Sequence, residues 1–518
     1  MNGAEALVKT LEAGGIEACF ANPGTSEMHL VGALDKSKTI RSVLVLFEGV
    51  ATGAADGYAR MTGKPAATLT HLGPGFANSL ANLHNARRAR SPLLNIVGDH
   101  ATYHIKYDTP LTSDISAYAA AAQSWWHRSE SAAGLPAAAA EAIAAARAYP
   151  GRIATLIVPA DHAWGAANGT AEPPAPVGPA PVPQLRLDEA AEIIRAGSAA
   201  LLLGGKALSQ RGLAAAGRIR DGAAARLIAE TFAPRLDRGA GRVAVERLPY
   251  FADWIAATLA EVKHLILVGA AAPASFFAYE GQSSWASPPG CTVTTLAEPG
   301  EDLQAALEAL AQRLGVETTT PARQAPSLPD LPSGELTAEG VAAVVARTMP
   351  PDAIVSDEAI TAGIALYPAT QGAAPHTWLN STGGAIGDGM PLAVGAAVAC
   401  ADRKVINLQA DGSALYTVQA LWTQARENLN VATVIFANHS YEILKLELMK
   451  TGQAMSAGET ARSLLSLGRP NVDWVHVARG FGVEAGRATT VEEFGKVFAR
   501  ALEHRGPYLV EAAIKPLM

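Results

Sequence analysis

The chain has 518 residues, of which 49% are hydrophobic and 17% charged, and its formal net charge at pH 7 is −7. This composition provides for large buried cores, and the length corresponds to about three domains. The acidic balance and the lack of a basic tract argue against nucleic-acid binding. No uninterrupted apolar stretch reaches the roughly 18 residues of a membrane span, and the first residues do not read as a signal peptide.

The spacing of the cysteines does not indicate a disulfide framework. Cys19, Cys291 and Cys400 are scattered along the chain without paired spacing. Such spacing suits a reducing compartment, in which isolated cysteines serve as small buried residues. We therefore expect a cytoplasmic protein without membrane contacts.

Two proline-rich segments, residues 171–184 and 320–334, divide the chain. Proline removes backbone donors, so these segments are predicted linkers. They separate an N-terminal domain (1–170), a middle domain (185–319) and a C-terminal domain (335–518). In each piece, short apolar runs alternate with Ala-rich helical stretches, which indicates parallel sheets covered by helices on both faces. The predicted fold class is α/β, with three doubly wound parallel-sheet domains.

The N-terminal domain has polar side chains where predicted strands end. Glu48 follows the apolar run Val43–Phe47 and opens a helix of small residues, where the helix dipole alone would favour a glutamate. His71 follows another strand-like run and either transfers protons or has a structural role. Thr25 and Ser26 lie in a turn, where either contacts a substrate carboxylate or caps a helix.

The C-terminal domain contains a glycine-rich segment, Gly383–Pro391, followed by small apolar residues. Glycine lets the backbone approach a ligand closely, although such a segment alone is weak evidence of binding. Two apolar runs follow it, and they end at Asp411 and Asn438. The carboxyl ends of parallel strands gather ligands, and carboxylate and amide oxygens suit Mg²⁺. These residues therefore predict a metal site that also holds phosphate oxygens.

The spacing of the last two residues resembles the metal–diphosphate motif of thiamine-diphosphate-dependent enzymes. In that motif Gly-Asp-Gly is followed, after about 24 residues, by Asn-Asn, and here residues 413–436 make up the same interval. Ala410 replaces the first Gly and Ala437 the first Asn, so the departures spare the metal ligands.

Two other segments strengthen this resemblance. Leu46–Arg60 is similar to the family's segment with the activating glutamate, and Gly383–Pro391 is similar to its glycine-rich loop. The likeness spans nearly the whole chain, in the domain order of acetolactate synthase, benzoylformate decarboxylase and pyruvate decarboxylase.

The resemblance implies two cofactors, thiamine diphosphate and Mg²⁺. Thiamine diphosphate reacts as a ylid, and Glu48 would activate it through a hydrogen bond to its aminopyrimidine ring. Ile386 would wedge under the bent cofactor, and the backbone oxygen of Gly384 would accept a hydrogen bond from its amine. The implied metal ligands are Asp411, Asn438 and the backbone oxygen of Ser440. Further implied cofactor contacts are Thr361, Gly412, Ser413, Ala414, Tyr441 and Ile443.

The activity that the resemblance implies is acetolactate synthase-like. A 2-oxo acid would be decarboxylated to an enamine, and carboligation would then give a 2-hydroxy ketone. The alternative is a benzoylformate-decarboxylase-like enzyme that releases an aldehyde, because His71 matches a catalytic histidine of that enzyme. The turn with Thr25 and Ser26 is also similar to its active-site turn. A non-catalytic regulatory subunit of the same fold is a further alternative.

The chain differs from each of these relatives at functional positions, so the resemblance does not assign it the complete activity of any one of them. Phe277 stands nearest to the second catalytic histidine of benzoylformate decarboxylase, and Leu444 replaces a glutamate of pyruvate decarboxylase. Biosynthetic acetolactate synthases bind FAD in a longer middle domain, so FAD is not expected. In the family the cofactor lies between subunits, with the activating glutamate from one and the metal site from the other. The resemblance therefore implies a homodimer or homotetramer.

Overall fold

The structure, a computed structural model, describes residues 1–516, which form three separate β-sheets. The first sheet is entirely parallel, in the order β2-β1-β3-β4-β6-β5. Its strands are β1 (Ala18–Asn22), β2 (Arg41–Leu44), β3 (Ala66–Thr70), β4 (Leu93–Asp99), β5 (Trp125–Arg128) and β6 (Ile153–Pro159). The helices of this region are α1 (Gly3–Ala13), α2 (Met28–Asp35), α3 (Glu48–Thr62), α4 (Leu72–Ala89), α5 (Ile115–Ala121), α6 (Leu135–Arg147) and α7 (Ala160–Trp164). Every residue of β3, β4 and β6 is buried, as expected of central parallel strands.

The middle region forms the second sheet. Its strands are β7 (Ala199–Leu203), β8 (Arg226–Ala229), β9 (Leu236–Arg238), β10 (Glu246–Arg247), β11 (His264–Val268) and β12 (Thr292–Ala297). The helices around them are α8 (Gln184–Ala196), α9 (Gln210–Ala223), α10 (Ala252–Leu259) and α11 (Leu303–Leu314). All of these strands except β9 pair in parallel, in the order β10-β8-β7-β11-β12.

The third sheet has seven strands in the order β17-β18-β16-β15-β13-β14-β9. Its own strands are β13 (Ile354–Glu358), β14 (His376–Asn380), β15 (Val405–Ala410), β16 (Val431–Ala437), β17 (Glu484–Ala488) and β18 (Tyr508–Ala513). The helices are α12 (Ala338–Thr348), α13 (Gly363–Ala369), α14 (Gly389–Ala399), α15 (Asp411–Ala414), α16 (Ala420–Arg426), α17 (Glu442–Lys450), α18 (Glu459–Leu464), α19 (Trp474–Gly480) and α20 (Val491–Glu503). The predicted α/β class with parallel sheets is thus confirmed.

One strand departs from the parallel pattern. β9 belongs to the middle region of the sequence, yet it pairs antiparallel with β14 at the edge of the third sheet. Arg238 in β9 is buried, and its guanidinium lies 3.7 Å from the centre of the Tyr367 ring. It also donates hydrogen bonds to Thr370 and to the backbone oxygen of Tyr367. These contacts fix the middle region to the C-terminal sheet.

The first and third sheets are joined by α3 and α14. Both helices are rich in small residues, and both are almost entirely buried. A side chain on Gly395 would overlap the backbone of Ala54, and one on Gly57 would overlap that of Leu392. The glycines therefore let the two helices touch along their backbones. Among residues 1–516, no helix has the length and apolar character that a membrane crossing requires.

Candidate active site

The end of the third sheet brings the predicted metal ligands together. β15 and β16 are neighbouring parallel strands, and Asp411 and Asn438 directly follow them. Oδ2 of Asp411 accepts a hydrogen bond of 2.6 Å from the amide of His439, and Oδ1 accepts one of 2.8 Å from Gly412. Oδ1 of Asn438 accepts from the amide of Ser440 at 3.0 Å. The carboxylate and the turn at 438–440 thus form one polar edge.

The electrostatics of Asp411 suit a bound cation. Burial raises the pKa of this carboxyl to about 6, and the hydrogen bonds from His439 and Gly412 only partly oppose that rise. Asp411, Asn438 and the backbone oxygen of Ser440 are hard oxygen donors, which fit Mg²⁺. Within residues 1–516, no group of three or more His, Cys, Asp or Glu side chains is placed to hold a metal. A metal at this edge would therefore depend on amide and carbonyl oxygens besides one carboxylate.

A segment after α18 covers this edge, which the sequence did not indicate. The amide of Tyr441 donates to the backbone oxygen of Leu465 at 3.0 Å, and Leu467 donates to His439 at 2.8 Å. The Tyr441 ring packs on Gly412, where a Cβ atom would lie only 2.5 Å from the ring. Gly412 is therefore needed for a close approach. Ile443, the second residue of α17, is half-buried.

The glycine-rich loop is held by Glu358, a residue that sequence reasoning missed. Glu358 is buried at the end of β13, and burial raises its pKa. Its carboxylate accepts hydrogen bonds from three consecutive backbone amides, at 2.9 Å from Gly387, 3.2 Å from Asp388 and 2.9 Å from Gly389. In the sequence Ser356 and Asp357 separate Glu358 from the apolar residues before it, so Glu358 lacks the continuous apolar run that precedes Glu48.

Gln409 extends this clamp to the predicted diphosphate contacts. Its amide nitrogen donates to Glu358 at 2.7 Å and to the hydroxyl of Ser413 at 2.5 Å. Ser413 and Ala414 are both buried in the short helix α15 that begins at Asp411. Thr361 is buried three residues after Glu358. The loop, the strand end and the first turn of α15 therefore share one hydrogen-bond network.

The glycine-rich loop also packs on α4 of the N-terminal region. Asn82 donates to the backbone oxygens of Gly387 at 3.2 Å and Gly49 at 2.8 Å. Asn85 donates to the oxygen of Ala385 at 2.8 Å. Within the loop, Gly384 has a positive φ of 75° and is exposed, whereas Ile386 is half-buried. The positive φ is the reason for a glycine at 384.

Glu48 begins α3 and lies in a sheltered pocket. The residue is 5% exposed, and its Oε2 accepts a hydrogen bond of 3.0 Å from Asn78. A Cβ atom on Gly75 would lie 2.8 Å from Oε1, so this glycine makes room for the carboxylate. Glu48 thus has one neutral donor and keeps further lone pairs for another partner.

A polar network in the N-terminal region connects two of the predicted catalytic residues, His71 and Ser26, and both of them contact Glu27. Nδ1 of His71 lies 2.7 Å from Oε2 of Glu27 and 3.3 Å from the hydroxyl of Ser26. Ser26 donates to Oε1 of Glu27 at 2.6 Å, and the amide of Gly24 donates to Oε2 at 2.7 Å. Glu27 is fully buried and orients the imidazole, whereas Thr25 is exposed outside the network. Sequence reasoning named Ser26 and His71 but missed Glu27.

The middle region closes over the glycine-rich loop and α17. A Cβ atom on Gly384 would lie 2.6 Å from Cζ of Phe276. The hydroxyl of Tyr279 donates to Oε2 of Glu447 in α17 at 2.6 Å. Burial, together with this hydrogen bond to Glu447, raises the pKa of Tyr279. The site therefore draws on all three sheets.

Family models match both ends of the chain. Residues 1–124 match the thiamine pyrophosphate enzyme N-terminal TPP binding domain, and residues 362–512 match the C-terminal TPP binding domain. The first match contains Glu48 and His71, and the second contains Gly384, Asp411 and Asn438.

Whole-length relatives agree with these matches. A Mycobacterium tuberculosis protein, provisionally named acetolactate synthase large subunit IlvX, is 52% identical over 100% of both chains. A benzoylformate decarboxylase of Pseudomonas aeruginosa is 27% identical over 96% of both chains.

Two solved structures share the fold. A thiamine-diphosphate-dependent 4-hydroxybenzoylformate decarboxylase from Rhodococcus jostii RHA1 has a TM-score of 0.84 at 23% identity, over 99% of both chains. Benzoylformate decarboxylase from Polynucleobacter necessarius has a TM-score of 0.85 at 20% identity, over 100% of this chain and 99% of the other. The predicted resemblance is confirmed, and the chain belongs to the thiamine pyrophosphate enzyme family.

Proposed function

We propose that this protein is a thiamine-diphosphate-dependent enzyme that makes or breaks C–C bonds of 2-oxo acids. The activity that we favour is acetolactate synthase-like, in which a 2-oxo acid loses CO₂ and the remaining carbons are joined to a second carbonyl compound. The observation that carries this proposal is the polar edge at Asp411 and Asn438, beside a glycine-rich loop clamped by Glu358. The relative with 52% identity supports the choice of reaction.

Each predicted cofactor residue has a place in this proposal. Thiamine diphosphate supplies a carbanion that attacks the carbonyl carbon of the substrate. Asp411, Asn438 and the backbone oxygen of Ser440 would hold Mg²⁺ and, through it, the diphosphate. The backbone oxygen of the exposed Gly384 would accept a hydrogen bond from the amine of the cofactor, and Ile386 would support the bent shape of the cofactor. The remaining contacts to the cofactor would come from Thr361, Gly412, Ser413, Ala414, Tyr441 and Ile443.

Glu48 would act on a cofactor that is bound by a neighbouring copy of the chain. We propose a homodimer or homotetramer in which the Glu48 carboxylate of one subunit hydrogen-bonds the cofactor held by its partner. Large apolar side chains that are exposed in both regions support such an interface. In the N-terminal region they are Met28, Leu46, Tyr103, Tyr107 and Leu111, and in the C-terminal region Ile360, Ile364, Leu415 and Tyr416. We place this assembly in the cytoplasm.

The network of His71, Glu27 and Ser26 favours a second candidate, decarboxylation with release of an aldehyde. That reaction needs a proton delivered to carbon, and an imidazole held by a buried carboxylate is suited to general acid–base work. In carboligation the same imidazole would donate a proton to the alkoxide oxygen that becomes the hydroxyl group of the product. The alternative of a non-catalytic regulatory subunit predicts cofactor binding without turnover.

Incubation of the protein with thiamine diphosphate, Mg²⁺ and a panel of 2-oxo acids tests the proposal. Chromatography distinguishes the expected 2-hydroxy ketone from an aldehyde, and calorimetry measures cofactor binding separately. Absence of both products with a bound cofactor would leave the regulatory alternative. Absence of cofactor binding at saturating Mg²⁺ would overturn the proposal as a whole. We expect the purified protein to be colourless, without FAD.

A further inference from the structure

An open cleft lies at the opposite end of the third sheet from the candidate active site. Its volume is about 660 Å³, which is in the range of small-molecule pockets. Lys404 lines the cleft and directly precedes β15, whereas Asp411 directly follows that strand. Because β15 has six residues, the cleft and the polar edge at Asp411 are about 20 Å apart. The cleft is therefore separate from the site described above.

The sheltered part of the cleft is rich in positive charge. Its cationic side chains come from the middle and C-terminal regions and are Arg235, Arg242, Arg403 and Lys404. Lys404 is 9% exposed, and the three arginines are half-buried. The half-buried Asp237 lies 3.6 Å from Arg235 and pairs with it. The other charged lining residues are exposed, and they are Asp352, Asp402, Glu503 and Arg505.

The ammonium group of Lys404 has neutral partners. Its Nζ donates hydrogen bonds to the backbone oxygens of Ala501 at 3.1 Å and His504 at 2.9 Å, where α20 ends. Carbonyls at the end of a helix supply only a partial negative charge. Burial lowers the pKa of Lys404 to about 8, and no carboxylate in the described part of the chain opposes this change. Lys404 thus lacks a full counter-charge and keeps one N–H donor free.

Two arginines of the cleft also keep donors free. Arg403 donates through Nε and Nη2 to the backbone oxygens of Asp352 and Ala353 and to the hydroxyl of Thr377. These partners are uncharged, so the positive charge of Arg403 is not neutralised. Nε of Arg242 is buried, and among residues 1–516 it has no hydrogen-bond partner. A buried N–H group without a partner is unfavourable, so an acceptor bound beside Arg242 would be stabilised.

The remaining lining residues restrict the kind of ligand. None of the described residues that line the cleft is Phe, Tyr or Trp. Proteins commonly hold a nucleobase by stacking it on such rings, so the cleft does not favour a nucleotide. Polar side chains of Gln210, Asn430 and His504 line it instead. The uncharged part of a ligand should therefore be polar.

We propose that this cleft binds a small phosphate ester with a polar body, such as a sugar phosphate. The planar guanidinium of an arginine matches the oxygens of a phosphate, and a lysine adds a point charge. A phosphate has three terminal oxygens for Arg242, Arg403 and Lys404, whereas a carboxylate has two. A phosphate would also supply the counter-charge that Lys404 lacks. This inference goes beyond the proposed function and does not depend on it, because the cleft and the cofactor residues lie at opposite ends of the sheet.

Calorimetry on the protein loaded with thiamine diphosphate and Mg²⁺ tests the inference. The probes are glucose 6-phosphate, glucuronate and glucose, which share one sugar and differ in the charged group. Repeating the titration without the cofactor separates binding in the cleft from binding at the diphosphate site. The variant is Arg242→Ala, and urea unfolding checks that it folds. The matched control is Arg218→Ala, since Arg218 is a half-buried arginine of α9 that does not line the cleft.

We expect glucose 6-phosphate to bind with the same affinity with and without the cofactor. Arg242→Ala should weaken this binding by at least about tenfold, because a charge-assisted hydrogen bond is lost. Arg218→Ala should bind like the parent, glucuronate should bind at least about tenfold more weakly than the phosphate ester, and glucose should not bind.

Three results would overturn the inference. The first is the absence of glucose 6-phosphate binding in the parent protein, and the second is unchanged affinity in Arg242→Ala. The third is an equal loss in Arg218→Ala, because the effect would then reflect only the overall charge of the protein. Equal affinities for glucuronate and glucose 6-phosphate would contradict the assignment of a phosphate ligand.

Discussion

Glu48 and Glu358 are both buried glutamates, one in the N-terminal and one in the C-terminal region, and they differ in what surrounds them. Glu358 is saturated by three backbone amides and by Gln409, so its lone pairs are used within the fold. Glu48 accepts from Asn78. The comparison teaches that hydrogen bonds still available to a buried carboxylate, not its burial, distinguish a candidate catalytic group from a structural one.

The same substitution at both positions separates the two roles. In Glu48→Gln we expect turnover to fall by about 10²–10⁴-fold, because the amide cannot serve as the acid–base partner of the cofactor. Cofactor affinity by calorimetry and the free energy of unfolding should stay close to those of the parent. A variant with normal turnover would remove Glu48 from the chemistry and leave the two glutamates alike.

In Glu358→Gln we expect the reverse result. The new amide group brings N–H donors toward backbone amides that need an acceptor, so part of the clamp on Gly387–Gly389 is lost. A buried donor left without a partner costs about 1–3 kcal/mol, and we expect a loss of that size in the free energy of unfolding, measured with urea. Stability equal to that of Glu48→Gln would contradict the assignment of Glu358 as the clamp.

The sequence was sufficient for one part of the site because neighbouring parallel strands end at the same edge. The runs before Asp411 and Asn438 pair directly as β15 and β16, so the spacing along the chain became proximity in space. No such rule connects Glu358 to the loop amides about 30 residues away, or Phe276 to Gly384 about 100 residues away. Those contacts depend on loop conformation and on how the sheets pack. The pairing of β9 with the third sheet is another contact of this kind.

Asp411 provides a third carboxylate, which accepts hydrogen bonds from two backbone amides. Asp411→Ala should weaken the binding of thiamine diphosphate in the presence of Mg²⁺ by at least about 10-fold, because loss of even an outer partner of a metal ligand typically lowers metal affinity by about 10- to 100-fold. Calorimetry with and without Mg²⁺ measures the effect. The matched control is Asp473→Ala, an exposed helix-capping carboxylate outside the site. An equal cofactor affinity in parent and variant would refute the ligand assignment.

A fourth carboxylate, that of Glu230, sharpens the comparison, because it lies at the end of a strand in the middle region and has a weak hydrogen-bond partner. Glu230 follows β8 and accepts a hydrogen bond of 3.3 Å from the amide of Gly205. Burial raises the pKa of Glu230 to about 7. The folded protein therefore holds this proton more tightly than the unfolded chain, whose glutamate has its ordinary pKa near 4.5.

The sign of the pH dependence follows from that difference. The stability associated with the proton on Glu230 is fully present below about pH 4.5 and is lost as pH rises through about 7. Glu230→Gln keeps a neutral side chain at every pH, so the variant should gain on the order of 1–2 kcal/mol over the parent at pH 8 and little at pH 4. Urea unfolding at the two pH values measures the gain. An equal gain at both would mean that Glu230 is hydrated or paired in the folded protein, and that a weakly bonded glutamate at a strand end need not hold its proton.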